Sequence, residues 1–341
     1  DCVIFIPDDS LCAAIGILAV MKCGAVYIPV LKTLPVGRIY EIVEKSNANC
    51  VFSNEINISD ISHPYSLNEN ENTTQVDNRC SGNDLSYIIF TSGTTGTSKG
   101  VMVQNSAICN SILWRINEFN LGKEDVSILL LGLAFDGFMT SFFTPLLSGV
   151  PLVLIDDIRD GNNIVKKLCE CHVTNFITTP TLYNIILKYI EKGSLQDLKQ
   201  VVLAGERVSV NLLQKSEEIL PDIELINEYG PTENSVVSTC KRRMSSKDLS
   251  VGQPISNCKI RVEDVDGNLC PIGIKGEVCL SGNSLAKGYL GDEKETKRVF
   301  VNKSNGIWYH TGDIGSWNNK GELCIYGRKD VQCKINGYRV D

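Results

Sequence analysis

Short, almost wholly apolar runs recur through the first two-thirds of the chain, and stretches of helical periodicity separate them. Residues 3–7, 25–30 and 50–53 read as strands, with helices over 11–23 and 35–46 between them. Ser10 is the expected N-cap of the first helix, and Pro35 opens the second. Residues 54–83 change character: Asn68-Glu69-Asn70-Glu71-Asn72 is polar and repetitive, so the segment reads as a surface insertion. The alternation then resumes. Strands are expected at 85–90, 126–131, 151–155, 176–178, 201–204 and 224–226, and helices at 138–147, 164–171, 181–190 and 210–219. From 101 a short β-like piece leads into a helical pattern that runs to 119. Runs apolar on both faces, alternating with helices, imply mostly parallel sheets covered by helices. Beyond about residue 240 the helices stop, and short β-like runs with turns at Gly267 and Gly321 read as a small antiparallel region.

The apolar stretch 11–31 is long enough to raise a membrane span, but Lys22 lies inside it and Gly24 breaks it into helix and strand. No membrane partner is expected. The chain opens inside an apparent strand and stops at Asp341 without a closing element, so both ends are expected to be cuts in a longer polypeptide.

At 341 residues, 43% apolar and 21% charged, the chain can bury a large core, and its length suits about two domains. A net charge of -7 argues against a general nucleic-acid or anionic-membrane binder and leaves room for a small anionic ligand held by local N–H groups. The fourteen cysteines are scattered without a Cys-x-x-Cys pair, and Cys12, Cys23, Cys50 and Cys279 sit in apolar runs. Reduced thiols in a cytoplasmic protein are the expectation. Cys169 and Cys171, two apart on an expected helix, point to different sides and make a poor metal pair.

Chemistry gathers in four places. Thr91-Ser92-Gly93-Thr94-Thr95-Gly96-Thr97-Ser98-Lys99-Gly100 follows an apolar strand. Glycines admit backbone N–H groups to an anion, hydroxyls add donors and lysine adds charge, so the loop suits phosphates. A polar linker has the same composition, and Lys99, three residues after Gly96, does not fit the common P-loop. In the second cluster, Asn227 to Glu233, Tyr229-Gly230-Pro231 sets an aromatic face beside an open backbone, Thr232 offers a hydroxyl and Glu233 a hard oxygen for Mg²⁺. A Gly-Pro turn with solvated neighbours reads the same way. Asp313, in the third, can bind both hydroxyls of a ribose or sit in a turn; Arg328, in the fourth, can reach a phosphate or sugar or be exposed.

Taken in order, these segments resemble the adenylation domains of nonribosomal peptide synthetases, members of the adenylate-forming superfamily with acyl-CoA synthetases and luciferases. The matching stretches are 21–29, 85–100, Phe135-Asp136-Gly137, 227–233, 276–290, 309–314 and 327–341, which span nearly the whole chain. The resemblance implies an α/β fold: two mostly parallel sheets layered with helices, then a small antiparallel β subdomain forming a distorted barrel. It divides the chain into a layered core at 1–240 carrying the phosphate loop and substrate pocket, a β subdomain at 241–326, and a hinge at 327–341 that begins a small C-terminal domain absent from this chain. Asp330 stands at the hinge.

The implied chemistry is ATP-dependent activation of an amino acid as aminoacyl-AMP. The acyl group then passes to the phosphopantetheine thiol of a carrier domain in the same polypeptide. By residue match, Thr91, Ser92, Gly93, Thr94, Thr95 and Gly96 with Lys99 wrap the β- and γ-phosphates. Gly205, Glu206, Asn227, Tyr229 and Gly230 surround adenine, Tyr229 by stacking. Thr232 touches the α-phosphate, Glu233 holds Mg²⁺, and Asp313 and Arg328 bind ribose. Asp136 pairs with the substrate ammonium, a role that separates amino-acid activators from acyl-CoA ligases. Gly137, Thr140, Thr178, Val202, Ala204, Glu228, Val236 and Val237 line the rest of the pocket. Thr140 stands where many relatives carry tryptophan, which makes the pocket roomy. The set resembles tyrosine-type pockets, with Glu228 accepting the phenol O–H; because an ionised buried Glu is costly unless paired, a basic side chain such as ornithine or lysine stays open.

Three departures from the family pattern stand out. Leu31-Lys32 replaces an Asp-Pro, Ser98 replaces a proline before the loop lysine, and the chain stops just past the hinge, so alone it is expected to be weak or inactive. The rival readings are an acyl-CoA ligase and a catalytically inactive nucleotide-binding or interaction module.

Overall fold

The computed structural model describes residues 1–66, 76, 80–91 and 98–329 and the strands Cys333–Ile335 and Tyr338–Val340. The apolar runs pair into two seven-stranded sheets. In the first, Leu85–Thr91, Val26–Pro29, Cys2–Phe5, Cys50–Phe52 and Ser62–His63 lie parallel in that order. Lys99–Gln104 and then Gly288–Tyr289 extend it antiparallel from Leu85–Thr91. In the second, Glu224–Tyr229, Gln200–Ala204, Asn175–Thr178, Ser127–Leu129 and Leu152–Val153 are parallel, and Thr239–Lys241 and Gln253–Pro254 add an antiparallel edge. The two sheets thus share one plan: a parallel block finished by two antiparallel strands.

Side-chain alternation sorts each strand between two cores. Val202 and Ile226 face inward, into one apolar layer shared by both sheets; Val201, Leu203 and Leu225 face the opposite way. The shared layer holds the helices Asn105–Phe119 and Gly137–Ser148, through Ile108, Ile112, Phe138, Met139 and Phe142. The helix Val36–Ser46 covers the outer face of the first sheet with Ile39 and Ile42. Gly161–Glu170, Pro180–Ile186 and Val210–Ile219 cover the outer face of the second.

After residue 255 the chain forms a five-stranded antiparallel sheet of Cys258–Glu263, Gly276–Gly282, Gly306–Trp317 and Phe300–Lys303, with Leu323–Arg328 also on Gly306–Trp317. Val262, Val278, Leu280 and Tyr309 join it to the shared apolar layer. A helix, Glu293–Val299, interrupts this region, contrary to the expectation that helices end near residue 240. It is seven residues long, too short for a periodic signal, and rests on end effects: Asp292 accepts from the Glu295 N–H, Glu293 and Glu295 sit in the first turn, Lys297 and Arg298 in the last. The first helix is likewise capped by Asp9, not by Ser10: Asp9 Oδ1 accepts from the Cys12 N–H at 2.7 Å, and the Ser10 N–H donates to Asp156.

All thirteen cysteines whose side chains are described are free thiols. His172 pairs with Asp197 at 2.9 Å, and Cys169 lies against the Ser194 carbonyl. Among the described residues no helix is long and apolar enough to cross a membrane.

The shared layer predicts a strong asymmetry along one helix. Phe142, 2% exposed, stacks on Phe138 and meets Phe143 edge-on, whereas Leu147 is 62% exposed. Phe142→Ala is expected to cost about 3–5 kcal/mol and Leu147→Ala less than about 0.5 kcal/mol, measured by urea denaturation.

Candidate functional site

Parallel strands deliver their carboxyl ends to one side of a sheet, where loops can carry ligand-binding groups. In the second sheet Thr178 aligns with Leu203, and Ala204 with Glu228, so the next residues, Gly205 and Tyr229, emerge together. Gly205 has φ +84°, a backbone conformation that suits glycine. At Gly230 a Cβ would lie 2.2 Å from the Val236 carbonyl oxygen, so only glycine fits where the chain returns past its own turn. That return is strained: Ser235 has φ +49° and the β-branched Val236 φ +81°. It is held by Ser111 Oγ donating to the Ser235 carbonyl at 2.6 Å and by the Ser238 N–H donating to the Tyr229 carbonyl at 2.8 Å.

Three residues from separate motifs meet here. Tyr229 donates its phenol O–H to Asp313 Oδ2 at 2.5 Å, and Arg328 donates to Asp313 Oδ1 at 3.1 Å. Arg328 also donates to the Thr311 carbonyl at 3.0 Å, and the Asp313 N–H to Thr311 Oγ1 at 2.9 Å. Burial, and then the Asp313 charge, push the Tyr229 phenol far above its ordinary range and keep it a donor. Asp313 and Arg328 are register partners on adjacent antiparallel strands, which fixes their facing positions.

A second group forms around Glu233. It sits in the 3₁₀ turn Thr232–Asn234, 1% exposed, and accepts the Tyr289 O–H at 2.7 Å. Lys99 Nζ lies 5.2 Å from the centre of the same Tyr289 ring and 2.6 Å from Glu295 Oε1. Hydrogen bonds from Arg298, and then from Lys99, bring the Glu295 carboxyl down to about 2 against the opposing push of burial. Lys99 and Glu233, far apart in the chain, are therefore neighbours across Tyr289. Neither Tyr289 nor Glu295 stands out in the sequence. Tyr289 falls within the family-like stretch 276–290 but carries no distinctive neighbours, and Glu295 lies on the short helix that periodicity misses.

The residues assigned to a substrate pocket gather along Gly137–Ser148 and the inner face of the second sheet, except Thr178, whose register partner Leu203 faces the other way. Asp136 is the N-cap of that helix, and its Oδ1 accepts from the Gly137 N–H at 2.8 Å. Thr140 is buried and donates to the Gly137 carbonyl at 3.2 Å; Val202, Val236 and Val237 belong to the shared apolar layer. Thr178 is fully buried and Ala204 packs at the edge of the same layer. Glu228 shares the inward side of its strand with Ile226 and forms a buried ion pair with Arg115. Burial pushes the Glu228 carboxyl up, and Arg115 opposes the push. Arg115 is invisible as a site residue in the sequence: it stands alone between Trp114 and Ile116 in a helix pattern. Asn227, on the opposite side of the strand from Glu228, is buried. Glu206 accepts from the Thr181 N–H and Oγ1 at 3.0 and 2.6 Å, holding the start of Pro180–Ile186. Thr91 closes its strand with Oγ1 3.5 Å from the Lys99 carbonyl. Ser92, Gly93, Thr94, Thr95, Gly96 and the hinge residue Asp330 lie outside the described residues.

Residues 1–290 match the family described as AMP-binding enzyme. The chain belongs to that family. It is 36% identical to a segment of tyrocidine synthase 3 of Brevibacillus parabrevis, covering 96% of this chain and 5% of that protein. It is 33% identical to a segment of gramicidin S synthase 2 of Aneurinibacillus migulanus, covering 99% of this chain and 8% of that protein. This member of the AMP-binding family thus spans a small fraction of the synthetases it matches. Its fold is that of holo-PA1221, an NRPS protein containing adenylation and PCP domains, at TM-score 0.88 and 24% identity over 100% of this chain and 61% of that one. The Klebsiella oxytoca NpsA N-terminal subdomain matches at TM-score 0.85 and 23% identity over 96% of this chain and 87% of that one.

The Glu295 interactions carry a pH signature. A carboxyl held near 2 in the fold and at its ordinary 4.5 when unfolded stabilises the fold fully above 4.5 and ceases to as pH falls through about 2. Glu295→Gln is expected to lower stability by about 1–3 kcal/mol at pH 7, and the gap to wild type to shrink by about half by pH 3, read from urea denaturation at each pH.

Proposed function

We propose that this chain activates an amino acid for a nonribosomal peptide synthetase. The amino-acid carboxylate oxygen attacks the α-phosphorus of ATP, the α–β bridging bond breaks, and aminoacyl-AMP and pyrophosphate result. A phosphopantetheine thiolate on a carrier domain then attacks the acyl carbon and AMP leaves.

The observation that carries this reading is the meeting of Tyr229, Asp313 and Arg328 beside the turn that bears Thr232 and Glu233. That set offers what a nucleotide needs: an aromatic face, a carboxylate for ribose hydroxyls, a cation, a hydroxyl for the α-phosphate. Gly205, Gly230 and Asn227 supply backbone and amide at the adenine edge, with Glu206 fixing the adjoining turn. Lys99 and the loop from Thr91 take the β- and γ-phosphates. Each carboxylate oxygen of Asp313 accepts one hydrogen bond and keeps capacity for a ribose hydroxyl. Glu233 presents a buried carboxylate oriented through one oxygen by Tyr289, which suits a Mg²⁺ that takes most of its ligands from phosphates and water. Held there by Glu233, such an ion would supply neutralising charge to the phosphates. Asp136 pairs with the substrate ammonium, and the pocket from Thr140 to Glu228 takes the side chain, with tyrosine as the substrate. Asp330 serves as the hinge for a following small domain.

ATP–pyrophosphate exchange on the complete polypeptide tests this. Exchange is expected with tyrosine, and Asp136→Ala is expected to lower amino-acid-dependent kcat/KM by about a hundredfold or more. Exchange driven by fatty or aryl acids and indifferent to Asp136→Ala would move the chain to the acyl-CoA ligases. ATP binding without exchange would make it a nucleotide-binding module.

A further inference from the structure

Among the described residues, Arg115 and Glu228 form the most deeply buried ion pair, with side chains 5% and 2% exposed. Arg115 comes from the helix Asn105–Phe119 and Glu228 from the strand Glu224–Tyr229. The guanidinium also lies 4.6 Å over the Phe119 ring. Such a pair is poor evidence of a stability device, since replacing both members by apolar groups of similar volume is often neutral or stabilising.

Two further observations point to a ligand. A cavity of about 20 Å³ lies beside Arg115, lined also by Phe119, Thr140, Thr144 and Val202. Thr140 and Val202 are also walls of the proposed amino-acid pocket, so the cavity shares a wall with it. Two polar atoms of the lining residues, Arg115 Nε and Thr144 Oγ1, are buried without a hydrogen-bond partner. Unsatisfied buried donors cost about 1–3 kcal/mol each, and a polar group arriving in the cavity removes that cost. The volume suits one hydroxyl-sized group.

Charge decides which polar group. Arg115 already neutralises Glu228, so an ammonium entering the cavity would lose its hydration shell, face a guanidinium and find no uncompensated carboxylate on this pair. A neutral hydroxyl meets no such penalty: it accepts from the Arg115 Nε–H and donates to Thr144 Oγ1, the two atoms left without partners. We propose that Arg115 is a specificity-determining residue that, through its pair with Glu228, selects a neutral side chain ending in a hydroxyl and turns away a cationic one. This rests on the reading of the chain as an amino-acid activator, and it resolves which of the two side-chain classes compatible with a lone Glu228 is taken.

The test is ATP–pyrophosphate exchange on the complete polypeptide with tyrosine, phenylalanine, ornithine and lysine, for wild type, Arg115→Lys, Arg115→Met and the double variant Arg115→Met/Glu228→Gln. Wild type is expected to favour tyrosine over phenylalanine by about tenfold or more in kcat/KM and to exclude both cations. Arg115→Lys should keep that order. Arg115→Met, which leaves Glu228 unpaired, should lose tyrosine preference and raise ornithine or lysine relative to tyrosine by about tenfold or more. The double variant removes both charges, guards against misfolding of the single one, and should lose tyrosine–phenylalanine discrimination while still excluding cations. Wild-type preference for ornithine or lysine overturns the proposal while leaving amino-acid activation intact. So does a uniform rate loss in the variants with the substrate order unchanged, the outcome of a purely structural pair. Wild-type exchange with no amino acid overturns the underlying reading and the proposal with it.

Discussion

One apolar layer, buried between two seven-stranded sheets, holds everything else in place. Both sheets turn one face into it, and the helices Asn105–Phe119 and Gly137–Ser148 fill it. The antiparallel sheet docks on its edge through Val262, Val278 and Leu280. Dense packing makes that layer rigid, so groups mounted on its rim keep their relative positions before any ligand arrives. Asp136 begins one of the buried helices, Arg115 projects from the other, and Thr178, Ala204 and Tyr229 end strands that line it.

The charged groups of the candidate site are paired within the protein: Lys99 with Glu295, Arg328 with Asp313, Arg115 with Glu228. Glu233 is held by the Tyr289 hydroxyl. Preorganised polar groups stabilise developing charge without reorganising at the moment of reaction. The pairs differ in how readily they can open. Glu295 is held by Arg298 as well as by Lys99, so its charge does not depend on Lys99 alone. Among the described residues Glu228 has no such second cation beside Arg115.

Much of this was legible in the sequence. Alternating apolar runs and helical periods led to layered, mostly parallel sheets because buried strands and amphipathic helices leave distinct patterns. The motifs at Tyr229, Thr232, Glu233, Asp313 and Arg328 were readable because their residue types are unusual beside strand ends. Three things were not. The helix Glu293–Val299 is stabilised by caps and end charges rather than by a periodic face. Asp9 caps in place of Ser10 because the helix starts at Ser10, one residue earlier than expected, which leaves Asp9 just outside it and three residues before the Cys12 N–H. Arg115 and Tyr289 act through partners more than a hundred and more than fifty residues away, and no local pattern records such contacts.

The central claim is that a carboxylate-bearing amino acid and ATP react in the site where Tyr229, Asp313, Arg328 and Glu233 converge. The most direct measurement is mass spectrometry of the nucleotide retained by the complete polypeptide after incubation with ATP, Mg²⁺ and a mixture of amino acids. Tyrosyl-AMP is the species the account predicts, its yield falling sharply in Asp136→Ala. Retained ATP with no aminoacyl-AMP from any amino acid would contradict it.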